Sequence, residues 1–416
     1  MKNIHTAIIG GGQAGLATSY YLAKHNIENV VLEKAKQAGH AWRNDRWDSF
    51  ALLTPNWSIQ LPGADYAGND PDGFLPRVQV VEYFERYVES HNIPVEFETQ
   101  VNSVELLSGR NAYLVRTGEG EFEAKNIVVA TGLFQGPKLP AYSKDISSKI
   151  TQIHSSQYRN PALLPEGGVL VVGSAQSGCQ IAEELYQNGR KVYLCIGSAG
   201  RAPRRYRGRD VFRWLLELGF FDRTVDKLPS PKAKFAGNPH LSGRDGGHTI
   251  NLHQFVRDGV QLLGKINGAD KNTIYCANDL KESLAKADKF EADLVKLIDD
   301  FILKNGMDVP AELLPNLKDG YAVEEVRELD LVSKGINTII WAQGYAYDFS
   351  MVKLPVTGGD GYPIQQRGVT EHPGLYFVGM PWLSKYKSGL LVGVGEDAEY
   401  IASHIASRQD NPILSK

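Results

Sequence analysis

The chain has 416 residues and a formal net charge of −3, from 45 basic and 48 acidic side chains. This length is typical of two or three domains, and the balanced charge argues against nucleic-acid binding and against attachment to an acidic membrane surface. No apolar run approaches the roughly 20 residues that span a bilayer. The three cysteines form no disulfide framework or Cys-x-x-Cys pair, and the histidines lack a metal-binding spacing. We therefore expect a cytoplasmic protein without a metal site.

The first predicted unit is a strand, a glycine-rich turn, a helix and a second strand at the N-terminus. Residues 10–15 fit Gly-x-Gly-x-x-Gly, and the second strand, at 29–32, is followed by an acid, Glu33. In such a unit the glycines let the backbone approach a pyrophosphate at the helix N-terminus, and the acid accepts hydrogen bonds from the adenosine ribose. The pattern predicts a dinucleotide site. Its expected binding residues are Gly10, Gly12, Gln13, Ala14, Gly15 and Glu33.

Two later apolar strands end in a similar way. Residues 125–130 run into Ala-Thr-Gly, which makes Ala130, Thr131 and Gly132 candidate contacts of the first dinucleotide. Residues 338–341 run into Ala-Gln-Gly, which gives Gln343 the corresponding place in a second site. The alternative stays open that any buried parallel strand has this composition.

The glycine pattern returns about 160 residues after its first copy, at 173–178, again behind an apolar strand. Repetition at this distance predicts a second dinucleotide-binding domain. Ile196 takes the position of Glu33, so no carboxylate would repel a 2′-phosphate, and arginines follow that could bind it. This favours NADP, and a solvated basic loop is the alternative. The expected binding residues are Gly173, Ser174, Ala175, Gln176, Ser177, Gly178, Arg201, Arg204, Arg205 and Gln343.

Near the end of the chain a strand at 374–379 precedes a glycine-rich segment at 389–395 and a predicted helix at 396–406. The N-terminus of that helix would face the flavin edge on which reduction places negative charge, with Leu391 beside it. This order of segments favours FAD at the first site and NADPH at the second.

These motifs resemble the class B flavoprotein monooxygenases, which include flavin-containing monooxygenases, plant YUCCA-type enzymes and bacterial CzcO-like proteins. The resemblance covers nearly the whole chain and adds candidate FAD contacts. They are Lys34, Trp42, Arg43 and Val101, the last from the family strand whose backbone meets adenine. In the linker between the domains His154 and Tyr158 match the family pattern, whereas Ser148 and Ile150 replace its Phe and Gly.

The resemblance also implies a reaction. FAD reduced by NADPH would react with O₂ to a flavin C4a-hydroperoxide while NADP⁺ stays bound, and one oxygen atom would pass to a small organic substrate. The candidate catalytic residues are His154 and Asn56, which lies near the family position of an asparagine above the flavin. Two alternatives stay open: an NADPH-dependent flavin oxidoreductase that passes electrons to another acceptor without oxygen insertion, and a flavoprotein that senses redox state.

The expected fold is α/β, with two Rossmann-like three-layer ββα domains of the glutathione-reductase type. Residues 1–160 and 335–416 are predicted to form the FAD-binding domain. Residues 161–334 form the inserted NADP-binding domain, which itself carries an insertion at about 205–305. An amphipathic helix is predicted at 279–305, and packing within its domain is preferred to a dimer interface. The protein is expected to be a monomer or a homodimer.

Overall fold

The structure is a computed structural model that describes residues 1–410. The strands of its three larger sheets are, in chain order, β1 (Lys2–Ile9), β2 (Asn29–Leu32), β3 (Val95–Glu96), β4 (Val101–Leu106), β5 (Tyr113–Thr117), β6 (Glu121–Val129), β7 (Thr151–His154), β8 (Gly168–Val172), β9 (Val192–Cys195), β10 (Gln261–Leu263), β11 (Ile266–Asp270), β12 (Thr273–Cys276), β13 (Glu328–Asp330), β14 (Ile336–Trp341) and β15 (Leu375–Phe377). The α-helices are α1 (Gln13–Lys24), α2 (His40–Asn44), α3 (Arg77–Ser90), α4 (Gln176–Gln187), α5 (Val211–Glu217), α6 (Leu252–Arg257), α7 (Leu280–Asn305) and α8 (Val394–Asp410).

The first sheet has the strand order β3-β2-β1-β6-β5-β4, and β15 also pairs with β6. Strands β3, β2, β1, β6 and β15 run parallel, whereas β4, β5 and β6 form an antiparallel meander. Strand β6 is long enough to serve both parts, because residues 121–124 pair with β5 and residues 127–129 pair with β15. The sheet is therefore completed by a strand from the far end of the chain.

The two faces of this sheet bury alternate side chains of the same strands, as the period of two in a strand requires. Ile8 and Val128 face helices α1, α3 and α8. Their neighbours Ile9 and Val129 face the opposite side, where the meander and residues around Phe349 cover them. This arrangement is the three-layer ββα domain that the sequence predicts.

The second sheet is fully parallel, with the order β7-β14-β8-β9-β10. One face packs on α4, α6 and the start of α7, and the other packs on the antiparallel sheet of β11, β12 and β13. Strands covered on both faces are apolar throughout, which is why β8 and β9 consist of continuous hydrophobic runs. The predicted α/β fold with two Rossmann-like domains is confirmed.

The sheets place the domain limits elsewhere than predicted. Strand β7 lies within the predicted segment 1–160 and β14 within 335–416, yet β7 pairs with β14, and β14 pairs with β8, in the second sheet. The chain therefore enters the second domain before β7 and leaves it after β14. Likewise β10, which falls inside the predicted insertion, is an edge strand of this sheet. The excursion from the domain core thus lies between β9 and α6.

Helix α7 begins and ends within one residue of its prediction. Leu284, Leu294 and Ile298 are buried against other parts of the same chain. Packing within the chain therefore accounts for part of the apolar face, whereas Phe290 and Leu297 on that face are 42% and 41% exposed. No helix within residues 1–410 is long and apolar enough to cross a membrane.

Candidate dinucleotide-binding sites

The first glycine motif, residues 10–15, forms an open cradle between β1 and α1. Gly10 has a φ of +108°, and a Cβ there would lie 2.9 Å from the Ala130 carbonyl oxygen. A Cβ on Gly15 would collide with the Gly10 carbonyl oxygen, whereas one on Gly12 would meet nothing within 4 Å. No side chain caps α1 at Gly12, so the N–H groups of its first turn are available to an anion. Gly10, Gly12 and Gly15 thus have the positions expected of them.

Glu33 lies at the edge of this first cradle. The Gly11 N–H donates to its Oε2 at 2.5 Å and the Ala35 N–H donates to its Oε1 at 2.8 Å. These two bonds hold the half-buried carboxylate at the end of β2, where an adenosine ribose would lie. The next residue, Lys34, is exposed to solvent.

The segment after β15 packs beside the first cradle, against the start of α1. The Gln13 side chain donates from Nε2 to the Gly389 carbonyl oxygen at 2.8 Å. Gly379, with a φ of +81°, lies so close to Ala14 that a Cβ there would overlap the Ala14 methyl group. Leu391 is buried in the same core as α1. The segment after β15 is therefore part of the first site.

The remaining candidate FAD contacts surround this cradle. The Ala130 N–H donates to the Ile9 carbonyl oxygen at 2.9 Å, so that β6 ends beside the glycines. Just after β6, the Thr131 hydroxyl and the Gly132 carbonyl oxygen accept hydrogen bonds from Gln135 Nε2 at 3.0 and 2.8 Å. Val101 begins β4 and pairs with Thr117 of β5. On α2 the ring of Trp42 stacks on Phe84, and Arg43 forms an ion pair with Glu85 at 2.5 Å. Arg43 Nε is buried without a hydrogen-bond partner.

The first cradle fits FAD. The pyrophosphate of a dinucleotide would fit the space above Gly12, next to the uncapped N–H groups of α1. The carboxylate of Glu33 is placed to accept hydrogen bonds from the ribose. The unpaired Nε of Arg43 adds a buried donor on the adjoining α2.

The second glycine motif, residues 173–178, repeats the contacts of the first. The Gly173 N–H donates to the Cys195 carbonyl oxygen at 3.0 Å, as the Gly10 N–H does to Leu32 at 3.0 Å. Gly173 has a φ of +110°, and a Cβ there would lie 2.5 Å from the Ala342 carbonyl oxygen. Gln343, which follows Ala342, therefore corresponds to Thr131. We call residues 173–178 the second cradle.

The acid position of the second cradle holds a buried apolar residue. The Ile196 N–H donates to the Leu263 carbonyl oxygen at 2.9 Å, and the Glu33 N–H donates to Glu96 in the same way. Ser174 stands where the first cradle has Gly11, and its hydroxyl accepts a hydrogen bond from the Gly197 N–H at 3.0 Å. Ser177 lies in the first turn of α4, whose N-terminus has no side-chain cap. No carboxylate thus lies at the position of Glu33.

Two of the predicted phosphate-binding arginines already have carboxylate partners inside the protein. Arg201 is 5% exposed and pairs with Asp288 at 2.8 Å and Glu291 at 2.7 Å. Arg204 is 1% exposed and forms two hydrogen bonds with Asp210, at 2.6 and 2.7 Å. A buried guanidinium must be paired, and these acids come from elements that local spacing does not reveal. With these partners neither Arg201 nor Arg204 is free to bind a 2′-phosphate, so this arrangement does not support their predicted role.

Arg205 is exposed, but it is directed to the hairpin beyond β9. Its Nη1 donates to the Gly247 carbonyl oxygen at 3.0 Å and its Nη2 to Gly246 at 2.8 Å. Gly178 and Gln176 lie in α4, where a Cβ on Gly178 would collide with the Gly173 carbonyl oxygen. The geometry thus supports the second cradle but not its predicted arginine clamp.

The structure assigns Asn56 to loop closure. Its Nδ2 donates to the Asp70 carbonyl oxygen at 2.9 Å, and its Oδ1 accepts from the Leu75 N–H at 2.8 Å. Asn56 is 3% exposed, so both ends of the amide are used within the loop of residues 56–75. With both ends of the amide engaged, this arrangement does not support the predicted catalytic role of Asn56.

His154 ends β7, the strand with which the chain enters the second domain, and it contacts the segment by which the chain returns to the first. Its Nε2 donates to the Gly344 carbonyl oxygen at 2.9 Å, and its Nδ1 accepts from the Ser156 hydroxyl at 2.9 Å. Burial lowers the pKa of the imidazole, which agrees with a neutral ring that donates at one nitrogen and accepts at the other. The next residue after Gly344, Tyr345, packs edge-on against this ring. His154 therefore positions the crossing between domains, and its two nitrogens are occupied.

Sequence reasoning missed one shared feature of the two cradles. Gln13 and Gln176 occupy the same motif position, and each donates to a carbonyl oxygen of a remote segment, Gly389 at 2.8 Å and Pro239 at 3.3 Å. The repeated glutamine was visible in the sequence, but the partners were not. Each cradle is therefore contacted by a segment distant in sequence.

Comparison with known proteins finds relatives along the whole chain. Residues 7–209 match the family model described as pyridine nucleotide-disulphide oxidoreductase. A protein of Geobacillus kaustophilus (strain HTA426), described as an uncharacterized CzcO-like oxidoreductase, is 32% identical over 406 residues, which cover 97% of this chain and 98% of the relative.

Several more distant relatives are described as monooxygenases. A probable indole-3-pyruvate monooxygenase, YUCCA1 of Arabidopsis thaliana, is 27% identical over 421 residues and matches 98% of this chain and 90% of its own. A solved flavin-containing monooxygenase from Stenotrophomonas maltophilia has the same fold, with a TM-score of 0.66 at 18% identity over 98% of this chain and 100% of that chain.

Proposed function

This chain belongs to the CzcO-like oxidoreductases, among the class B flavoprotein monooxygenases, and we propose that it is an FAD-containing monooxygenase that uses NADPH and O₂ to oxygenate a small organic molecule. The observation that carries the proposal is the pair of equivalent cradles at the carboxyl ends of two parallel sheets. Bound FAD supplies the redox chemistry and the reaction with O₂. The residues of this chain bind, orient and shield the two nucleotides.

The two cradles are held together by the segments that join the domains. Gly136–Pro137 lies in the segment that leaves the first domain, and it pairs with Tyr345–Ala346 in the segment that returns to it. The bond from His154 to Gly344, at 2.9 Å, ties the end of β7 to the return segment. This arrangement sets the separation of the two nucleotides. Holding two reactants in the right geometry can lower the activation barrier by roughly 7 kcal/mol or more.

The preference for NADPH over NADH rests on the buried Ile196. Where Glu33 would accept hydrogen bonds from ribose hydroxyls, Ile196 leaves no negative charge against a 2′-phosphate. Arg201 and Arg204 are paired within the protein. We therefore expect a smaller preference for NADPH over NADH than a bidentate arginine contact to the 2′-phosphate would give. Steady-state kcat/KM values with the two coenzymes measure it.

The cysteine beside the second cradle is not suited to the chemistry of a dithiol reductase. Cys179, the one nearest the second cradle, donates its S–H to the Ser174 carbonyl oxygen at 3.2 Å. Burial raises the pKa of this thiol, so it stays protonated and is a poor nucleophile. The three cysteines are all buried. Electron transfer to a non-thiol acceptor without oxygen insertion remains the competing function.

Rapid mixing of the reduced FAD-loaded enzyme with O₂ tests the proposal. With NADP⁺ present, we expect a transient whose absorbance is blue-shifted from that of oxidised flavin, because bound NADP⁺ keeps water from the flavin. Without NADP⁺ the oxidised spectrum should return in one step, with release of hydrogen peroxide. A one-step return under both conditions would favour the oxidoreductase that transfers electrons to another acceptor.

A further inference from the structure

Residues 231–240, in the excursion after β9, run from the first domain to the second cradle. They begin as a 3₁₀ turn, Pro231–Phe235, and continue extended to His240. We call residues 231–240 the strap. Its two ends make different contacts, one with each domain.

The far end of the strap lies on the second cradle. A Cβ built on Gly237 would lie 3.6 Å from the Ala175 methyl group, so the room between the two residues is about that of one methyl group. The Pro239 carbonyl oxygen accepts a hydrogen bond from Gln176 at 3.3 Å, and the His240 N–H donates to Gly200 at 3.0 Å. This end of the strap thus lies beside the position where the motif expects a pyrophosphate.

The first cradle is an internal control for this observation. Gly12 occupies the same motif position as Ala175, and a Cβ on Gly12 would meet no atom within 4 Å. Both cradles have the same backbone contacts at Gly10 and Gly173. Both cradles also receive a glutamine contact from a remote segment, so the approach of Gly237 to Ala175 is what distinguishes the second cradle.

The near end of the strap is anchored on the first domain. Lys234 Nζ lies 2.8 Å from Asp360 Oδ2 and 4.1 Å from the centre of the Tyr362 ring. Phe235 stacks on Tyr347, with ring centroids 6.0 Å apart at an angle of 15°. The Lys234 side chain is only 14% exposed, so its ion pair and cation–π contact are partly shielded from water. These contacts define the anchor.

We propose that the strap is a gate that closes the second cradle until a dinucleotide displaces it, and that the anchor sets how often the gate opens. That this dinucleotide is NADP(H) rests on the proposed function. A ligand that binds only the open state has an apparent affinity reduced by the open fraction, so weakening the anchor should tighten binding. Access of the nucleotide to the second domain is thereby coupled to contacts of the strap with the first.

Titration of the FAD-loaded protein with NADP⁺ by calorimetry tests the gate. Lys234→Met and Asp360→Asn each remove the ion pair, and we expect either to lower the Kd by about fivefold. Lys232→Met is the matched control, since Lys232 lies in the same 3₁₀ turn and is exposed. Equal Kd values for the wild type and all three variants would overturn the gate while leaving the proposed function intact. Absence of NADP⁺ binding in every protein would overturn the proposed function, and with it the named occupant.

Limited chymotrypsin digestion gives a second readout on the wild-type protein. Displacement of the strap by NADP⁺ should free Phe235 from Tyr347 and accelerate cleavage after residue 235, identified by fragment mass. Slower cleavage with NADP⁺ would mean that the strap closes over a bound nucleotide as a clamp. That result would contradict the gate.

Discussion

Arg204 is a cation inside the core, and its role follows from its partners. Its guanidinium makes two bonds to Asp210, donates to the Leu53 carbonyl oxygen at 2.8 Å and lies 4.4 Å from the centre of the Phe74 ring. Leu53 and Phe74 belong to the first domain, whereas Arg204 and Asp210 belong to the excursion of the second. Arg204, which the sequence predicted to bind the 2′-phosphate, thus links the first domain to the second.

Arg204→Ala should destabilise the protein strongly. Removing one partner of a buried pair leaves Asp210 as an uncompensated charge, which costs about 3–5 kcal/mol. Arg205→Ala is the matched control, because its guanidinium is exposed and contacts only carbonyl oxygens, and surface changes of this kind stay within about 0.5 kcal/mol. Urea unfolding of both variants measures the difference. Similar losses for the two would show that Arg204 has no special structural role.

At the scale of elements, the three motif glycines of the first cradle have separable roles. A Cβ on Gly15 would overlap the Gly10 carbonyl oxygen, so Gly15 lets α1 pack on β1. A Cβ on Gly12 would enter open space that only the pyrophosphate needs. Folding and flavin binding therefore depend on different positions of one turn.

Gly12→Ala and Gly15→Ala should separate these roles. Gly12→Ala should leave the melting temperature of the apoprotein unchanged and weaken FAD binding by about tenfold or more, since a methyl group displaces the phosphate. Gly15→Ala should lower the melting temperature of the apoprotein itself. Flavin absorbance retained after desalting, together with thermal unfolding, measures both. Full FAD occupancy in Gly12→Ala would contradict the assignment of the first cradle.

The sequence was sufficient for elements whose signal is local. The βαβ units around Gly10 and Gly173, with β2 and α7 close to their predicted limits, follow from spacing and periodicity. Strand β7 was missed because a four-residue strand has little pattern of its own, and its sheet is decided by pairing with β14, far along the chain. The roles of Arg201 and Asn56 were missed for the same reason, because ion-pair and loop partners are set by tertiary contacts.

At the scale of the whole molecule, buried histidines connect stability to pH. Burial, assisted by the charge of Arg201, lowers the pKa of His240 to about 3 from its ordinary 6.5. Between these values the unfolded chain binds a proton that the folded chain does not, so stability falls as the pH drops below 6.5. His248 has the opposite shift, because Glu183 raises its pKa, and its stabilisation is lost only as the pH rises.

His240→Gln should make stability less sensitive to acid. Between pH 6.5 and 4 the slope of unfolding free energy against pH should decrease by up to about 1.4 kcal/mol per unit, the value for one proton. His248→Gln should leave the slope in this range nearly unchanged, since His248 is protonated there in both states. Denaturant unfolding at a series of pH values measures the slopes. An unchanged slope in His240→Gln would mean that its imidazole titrates normally in the folded protein.

The division of β6 between two partners also bears on how the chain is made. Strand β15 pairs with β6 across about 250 intervening residues, and Gln13 reaches Gly389. The second domain, from β7 to β14, is contiguous and leaves the ribosome before β15 is translated. It can fold first, whereas the first domain must wait for the last part of the chain, and closing so long a loop has a large entropic cost. We therefore expect flavin loading to follow the synthesis of β15 and α8.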